Sequence, residues 1–436
     1  MSLTDRPDLL GALGLIVYCA YALSGYLNDW SLHYFGGKAY LSIAALVLLP
    51  VVWLLCDGRF RGSRNPIGRW WIAFLACLLI ATPFSYWRMG SLTMLSNYIP
   101  RCYLGFFFIT AFITSVSRCR TLMYINIASS VCLLASCLKF GEYSDDGRLY
   151  IPESLFYRNA NELALALLLG AVQFAFLVYG RGVIRKLVGA AGIFVCIALM
   201  LRTGSRGCLL AALAASALVF FVSRHRAVVA AIALLVILAG IMLAPSMALR
   251  RLSMLSFDFD VAKNDAEGSA IGSGIERSEL FKRSLLETAK HPLLGIGPDQ
   301  FAAKVWGDAT KQGKWGAWLG THNSYTQVSS ECGIPALICY VAIIFWSLRL
   351  NYRLYRRTSN DPSLSDVSAL SMCLLAGTLV YAVGTFFFHM AYTNSLPVLS
   401  GMTVSLTLAT KPLFAEPEPG AGPGFQSANE LNHNQA

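Results

Sequence analysis

Charge is scarce in this chain. Of its 436 residues, 14% are Asp, Glu, Lys or Arg and 56% are hydrophobic. That balance excludes an ordinary soluble globular protein, in which about a quarter of residues are charged. Asp and Glu are nearly absent from the long apolar runs, and Glu162 and Glu331 stand at run ends. A transporter or flippase driven by ion coupling would need paired ionisable groups inside its spans. The twelve cysteines lack metal-ligand spacing. Most lie within apolar runs (Cys19, Cys77, Cys196, Cys339), where cysteine serves as a small apolar residue. The acidic pairs Asp145/Asp146 and Asp258/Asp260 also lack the pattern of a metal site. No metal or cofactor is expected, and there is no internal repeat.

What the chain does have is apolar length. Runs recur at roughly 9–26, 39–56, 70–84, 99–116, 121–140, 161–179, 184–201, 207–222, 227–244, 333–348, 365–388 and 395–410. Each is long enough to approach or cross a hydrocarbon core of about 30 Å. Only helices and closed barrels can cross, because the backbone finds no water there. Barrel strands alternate apolar and polar residues; these runs are continuous, so they are helices. The expected fold is an all-α polytopic membrane protein with about 12 transmembrane helices. The first run is preceded by Asp5, Arg6 and Asp8 and reads as a retained anchor rather than a cleaved leader.

The net charge of +11 suggests nucleic acid at first sight. In a membrane protein, however, Lys and Arg collect in cytoplasmic loops. With the N-terminus inside, the inner segments hold 17 of the Lys and Arg residues and the short outer segments 8. The bilayer is therefore the expected partner, and nucleic acid is not. This topology divides the chain into transmembrane helices 1–9 (1–244), a periplasmic loop domain (245–321), transmembrane helices 10–12 (322–411) and a disordered cytoplasmic tail (412–436) rich in Pro and Gly.

The loop domain is close to neutral, with ten Lys/Arg and nine Asp/Glu. Any arginine that matters there matters by position. Arg250 and Arg251 follow the membrane exit, and the stretch 253–274 is acidic and glycine-bearing. Leu280, Phe281, Leu285 and Thr288 then repeat at helical spacing, predicting a helix over 276–290 capped by Ser273 with Glu276. His291-Pro292 ends it, and Gly295-Ile296-Gly297-Pro298 makes a turn. A stretch with Trp306, Trp315 and Trp318 leads to His322; these tryptophans suit membrane-interface anchors, with sugar-facing surfaces as the alternative.

Three side chains stand out. Arg206 ends the Thr203-Gly204-Ser205-Arg206-Gly207 turn on the outer face. It reads either as an arginine snorkelling from a helix end or as an anion site. In the second case Gly204 and Gly207 allow close approach to the backbone, and Ser205 and the next helix N-terminus add donors. Arg277 lies in the first turn of the loop helix, where a cation opposes the helix dipole. It reads as a surface ion pair with Glu276 or Glu279, or as a bidentate fork for phosphate oxygens. His322 opens a polar cluster with Asn323, Ser324, Tyr325 and Gln327, and a neutral imidazole can take a proton from a hydroxyl. His291 is the competing histidine, but its place before Pro292 reads as a helix stop. Cys332 is the one thiol placed to face outward, or simply a small residue at a helix start.

Several pieces together resemble the O-antigen ligase/polymerase superfamily of bacterial envelope glycosyltransferases. They are Arg148 with Asn159-Ala160-Asn161-Glu162-Leu163-Ala164; Thr203 to Gly207; Arg277 with His291 to Pro298 and Phe301; and His322-Asn323-Ser324-Tyr325 followed by Glu331-Cys332-Gly333-Ile334-Pro335. Order and spacing around one large loop carry the likeness, which spans 148–348. Pro335 departs from the family pattern and is read as tolerated near a helix start. The resemblance implies an enzyme of the inner membrane, with its site facing the periplasm. It would move a glycan from a polyprenyl (undecaprenyl) diphosphate donor to a glycan or lipid-core acceptor, without metal and with inversion. Arg206 and Arg277 would bind the diphosphate and His322 would activate the acceptor. Arg202, Ser205, Asn161, Arg158, Asn323 and Tyr325 would line the substrate. A ligase is the first reading, a polymerase of the same family the second and a polysaccharide transporter the third.

Overall fold

A computed structural model describes residues 8–27, 30, 33, 34, 40–154, 156–180, 182–223, 226, 265–313 and 318–414. The expected span at 227–244, Arg250 and Arg251, the acidic stretch up to 264, Trp315 and the tail from 415 lie outside the described residues. Side chains between 265 and 276 are likewise outside them.

The architecture is helical. The first half holds α1 (Leu9–Tyr26), α2 (Tyr40–Leu55), α3 (Pro66–Ala81), α4 (Arg88–Tyr98), α5 (Leu104–Phe112), α6 (Val116–Phe140) and α7 (Ala160–Val178). The second holds α8 (Val183–Arg202), α9 (Arg206–Val222), α10 (Asp265–Lys290), α11 (Phe301–Lys311), α12 (Ser324–Thr358), α13 (Ser365–Gly384) and α14 (Ser395–Thr410). A two-stranded hairpin, β1 (Glu142–Tyr143) with β2 (Leu149–Tyr150), pairs antiparallel with Glu142 opposite Tyr150. Among the described residues, six helices are long and apolar enough to cross a membrane, accompanied by three shorter apolar ones. The helical membrane class holds.

Several elements differ from the sequence reading. The stretch 85–98, between two of the apolar runs, contains α4. The run 99–116, read as one span, is a π-helical turn (Ile99–Tyr103) followed by the short α5. Pro100 has no N–H for a regular helical bond, which favours a local change of register. The loop helix α10 starts at Asp265, so Ser273 lies inside it rather than capping it. A second loop helix, α11, was not anticipated. A 3-10 turn at Lys411–Phe414 occupies the start of the expected tail.

The bundle packs around three apolar clusters. One gathers Phe108, Phe112, Leu122, Phe174 and Leu370; a second gathers Trp71, Phe74, Tyr340 and Tyr381; a third gathers Leu163, Leu167, Met200 and Cys208. Hydroxyls inside the spans bond back one turn, as Ser400 does to the Leu396 carbonyl and Thr403 to that of Leu399. Trp71 Nε1 donates to Ser400 Oγ at 3.0 Å. Such bonds satisfy polar groups that a bilayer interior would leave stranded.

One irregularity organises the end of the bundle where the loop helices sit. In α12, Gly333 adopts φ 83°, and Pro335 two residues later has no N–H. The Glu331 carbonyl therefore loses its regular partner, the amide four residues on. The turn after α10 takes over these groups. The Ile296 N–H donates to the Ser330 carbonyl (2.9 Å), the Gly297 N–H to the Glu331 carbonyl (2.8 Å) and the Ile334 N–H to the Pro292 carbonyl (2.7 Å). Pro335 is thus part of a mid-helix break rather than a tolerated residue near a helix start. The Glu331 carboxylate accepts from the N–H groups of Asp299 (3.0 Å) and Phe301 (3.2 Å), capping α11 where the helix dipole favours an anion. A Cβ at 333 would lie 2.3 Å from the Leu293 carbonyl oxygen. The Gly333→Ala protein is expected to melt lower in detergent, since the left-handed backbone alone costs about 1–2 kcal/mol for a residue with a side chain. An unchanged melting midpoint would show that the break does not anchor the loop.

Candidate functional site

His322 sits at the turn into α12 with a left-handed φ of 51°, a conformation uncommon outside glycine. The surrounding bonds hold it there. Asn323 Oδ1 caps α12 by accepting from the N–H groups of Tyr325 and Thr326. Ser324 N–H donates to the Thr385 carbonyl (2.8 Å), Ser324 Oγ donates to the Phe388 carbonyl (2.7 Å), and Oγ accepts from the Met390 N–H (2.8 Å). The segment 385–390, where the sequence reading placed the end of one span and a break, is therefore bolted to the His322 turn. It brings His389 edge-on to His322, with ring centroids 5.2 Å apart. Burial, His389 and the positive charge of Arg277 together push the His322 imidazole down to about 4. The ring is neutral at pH 7.

Arg277 reaches this node because α10 lies across α12. Thr288 and Ser329 share a hydroxyl–hydroxyl bond of 2.8 Å. Leu280, Ile296, Phe301 and Val305 form a small core between α10 and α11. Arg283 pairs with Asp308 at 2.6 Å across the same pair of helices. His291, the competing histidine, is exposed just after α10 and donates its backbone N–H to Glu287.

The Arg206 turn is held from another side. Arg148, on β2's approach, donates from Nε to the Thr203 carbonyl (2.8 Å) and from Nη2 to Asn161 Oδ1 (2.7 Å). One guanidinium thus fixes the turn between α8 and α9 against the start of α7. Gly204 has φ 61°, as a reversal there requires. Gly207 does not open a path to a ligand: a Cβ would lie 2.7 Å from Phe387. It lets α9 pack against the segment that carries His389. Arg206 opens α9, and Ser205 is its buried N-cap, without a side-chain capping bond.

The remaining expected binding residues divide. Asn161, Asn323 and Tyr325 are engaged within the protein, Tyr325 through its hydroxyl to the Ala382 carbonyl at 2.8 Å. Arg202 Nη1 lies 3.4 Å from the Tyr143 hydroxyl. Arg158 donates to the Pro152 carbonyl and, with Arg148, Asp146 and Glu162, lines a cleft of about 480 Å³ beside the hairpin. Cys332 is buried, 3.5 Å from the Tyr392 hydroxyl, and does not face outward.

A cavity of about 560 Å³ adjoins the histidine pair, lined among others by Trp87, Arg101, Asp299, Gln300, Gln327 and His389. Burial raises the Asp299 carboxyl to about 6 and lowers the His389 imidazole. Asp299 also carries a left-handed φ of 60°. Asp299, His389 and Arg148 escaped the sequence reading as site residues. Asp299 follows a glycine turn read only as a turn, and His389 lies at the boundary hardest to place from hydropathy.

Residues 191–341 match the family model described as O-antigen ligase. Over that stretch the chain is similar to O-antigen ligases. No curated protein matches the chain. The matched stretch contains Arg202, Ser205, Arg206, Arg277 and His322, while Arg148, Asn161 and His389 lie outside it. The turn at 203–207 and the His322 turn are each tethered by residues from beyond that stretch. Arg148→Ala is expected to lower both stability and activity. It strands the Thr203 carbonyl and Asn161, at about 1–3 kcal/mol for unsatisfied buried groups. Lysine cannot span both acceptors with one planar fork, so Arg148→Lys should restore only part. Thermal melts and activity in matched membranes check this, and wild-type values for Arg148→Ala would remove it from the framework.

Proposed function

We propose that this membrane enzyme transfers a glycan from a polyprenyl diphosphate carrier to an acceptor hydroxyl at the periplasmic face of the bacterial inner membrane, by inversion and in the manner of a ligase. The observation that carries the reading is the positive charge of Arg277 acting on a neutral, half-buried His322 within the stretch that matches O-antigen ligase. In the proposed step the acceptor oxygen attacks the anomeric carbon as the bond from that carbon to the diphosphate oxygen breaks. His322 takes the hydroxyl proton. Charge grows on the departing diphosphate, where Arg277 and Arg206 stabilise it. The acceptor offered, lipid core or carrier-linked chain, distinguishes ligase from polymerase.

The His322 environment adds a regulatory consequence. Arg277's field disfavours imidazolium while no anion is near. A bound diphosphate offsets that field and favours the protonated ring. The base is thereby strengthened when the donor is present.

Purified protein, carrier-linked glycan and acceptor should release free carrier diphosphate. Arg206→Ala and Arg277→Ala are each expected to lose on the order of 10²–10³-fold in rate, as for removal of a transition-state donor, and the lysine variants to retain part. Full activity in both alanine variants at normal membrane levels would sink the mechanism. For pH, activity requires the neutral base and so rises with pH through its pKa. The acid limb of kcat/KM, which reports the free enzyme, should fall near 4, and the limb of kcat should lie higher. A free-enzyme limb at 6.5 or above would exclude His322 as that base.

A further inference from the structure

The exposed side of α10 changes character along its length. Leu280, Ser284 and Glu287 are buried where the helix packs on α11 and α12. The opposite side begins with Glu279 and Lys282 and continues with Leu285, Leu286, Ala289 and Leu293, all exposed. Residues 285, 289 and 293 keep the four-residue spacing of one helix face. Helical bonding continues through the turn to hold them so: the His291 N–H donates to the Glu287 carbonyl and the Gly295 N–H to that of His291. The three leucines are 46%, 52% and 70% exposed. Lone exposed leucines are ordinary; a stripe of three beside a membrane span is not.

The stripe joins the lipid-facing side of α12. Up to Gly333 the residues of α12 are buried or half-buried; exposure begins at Ile334 and continues through Ile338, Val341 and Phe345. Ile334 meets the end of the stripe, since its N–H donates to the Pro292 carbonyl at 2.7 Å. Length makes lipid the fitting cover. From Ile334 to Arg349, where charge returns to the exposed side, α12 rises only about 22 Å at about 1.5 Å per residue. A hydrocarbon core is about 30 Å thick, so about 8 Å of it extends past Ile334 and meets α10 and its turn instead. Leu285 to Leu293 span up to about 12 Å, enough to cover that height.

We propose that residues 285–293 are seated in the leaflet on the loop side, with the acyl chains of bilayer lipids covering Leu285, Leu286 and Leu293. Lys290, 3.7 Å from Glu287, carries its ammonium out to head-group level on an apolar stem. α10 is then held twice, by the break in α12 and by the bilayer. Arg277 stands eight residues before Leu285, at most about 12 Å away along the helix, which keeps it within reach of the head groups. That consequence for transfer rests on the function proposed above; the seating itself does not.

The test uses full-length protein in nanodiscs of phosphatidylethanolamine and phosphatidylglycerol whose acyl chains carry a diazirine. After irradiation, trypsin separates residues 278–282, 284–290, 291–304 and 315–349. Lipid adducts are expected on 284–290 and 291–304, as on 315–349, and not on 278–282. A second measurement follows the labelling of Leu293→Cys and Lys282→Cys by a membrane-impermeant maleimide, against the wild-type protein, whose own cysteines are buried or half-buried. Both positions are exposed, so neither change disturbs packing within the protein. Lys282→Cys should react roughly ten-fold faster or more, because apolar surroundings disfavour the reacting thiolate. Adducts on 315–349 with none on 284–304, or equal labelling of the two cysteines, would overturn the seating. Protection of Leu293→Cys without nearby adducts would mean that protein covers the stripe, a second copy of the chain included, and would overturn it equally. The expected adducts in a protein that transfers no glycan would uphold the seating and count only against the transfer reading.

Discussion

The exchange of backbone hydrogen bonds at the break in α12 is the constraint on which the functional end depends. Left regular, α12 would satisfy its own carbonyls and offer nothing to the loop. Gly333 and Pro335 free the Ser330 and Glu331 carbonyls, and the amides of Ile296 and Gly297 take them. Net, each such bond is worth only about 0.5–1.5 kcal/mol, but leaving its partner buried and unpaired costs more. The loop turn and the helix break therefore stabilise each other. The same junction sends the Glu331 carboxylate to the start of α11 and sets Asp299 and Gln300 over the cavity.

From that junction α10 runs back across α12, and Arg277 comes within electrostatic reach of His322. A cation beside a histidine is an unfavourable pairing for a protein that only needs stability. On the proposed reading, a bound diphosphate would offset that field. The His322–His389 contact works in the same direction: two imidazoles 5.2 Å apart disfavour a second positive charge. On the proposed reading, a proton taken from the acceptor is tolerable only while diphosphate is in place.

Hydropathy made most helices legible. The sequence-derived limits of α1 and α14 coincide with the structure, and those of α7, α8 and α9 differ by a residue or two. Such runs are long, apolar and bounded by polar residues, and no tertiary contact competes with their register. What was not legible depends on partners distant in sequence. Pro335 and Gly333 mark a break only because residues 292–297 dock there. Arg148 organises the 203–207 turn through one bond to a residue 55 positions on and another to Asn161. Gly207 looked like an opening for ligand, yet the space it leaves is filled by Phe387. Of the candidate site residues, Arg277 acts electrostatically on His322, whereas Asn161, Asn323 and Tyr325 bond within the protein. Their side chains suit capping as well as recognition, and only coordinates separate the two uses.

The division of polar groups around the histidine pair suggests why the chain needs so few charges. The positive charge of Arg277 acts on His322, while Arg206 stands at the head of α9. The cavity on the His389 side combines one arginine and one aspartate with amides and aromatic rings. A phosphate is discriminated by net positive charge, a sugar by the number and direction of hydrogen bonds. If both ligands were met by arginines, the acceptor side would attract the carrier's diphosphate and compete with the productive arrangement. Asp299 beside Arg101 leaves that cavity without the net positive charge that an anion site needs. On the proposed reading, discrimination between donor and acceptor depends on where charge is withheld as much as on where it is placed.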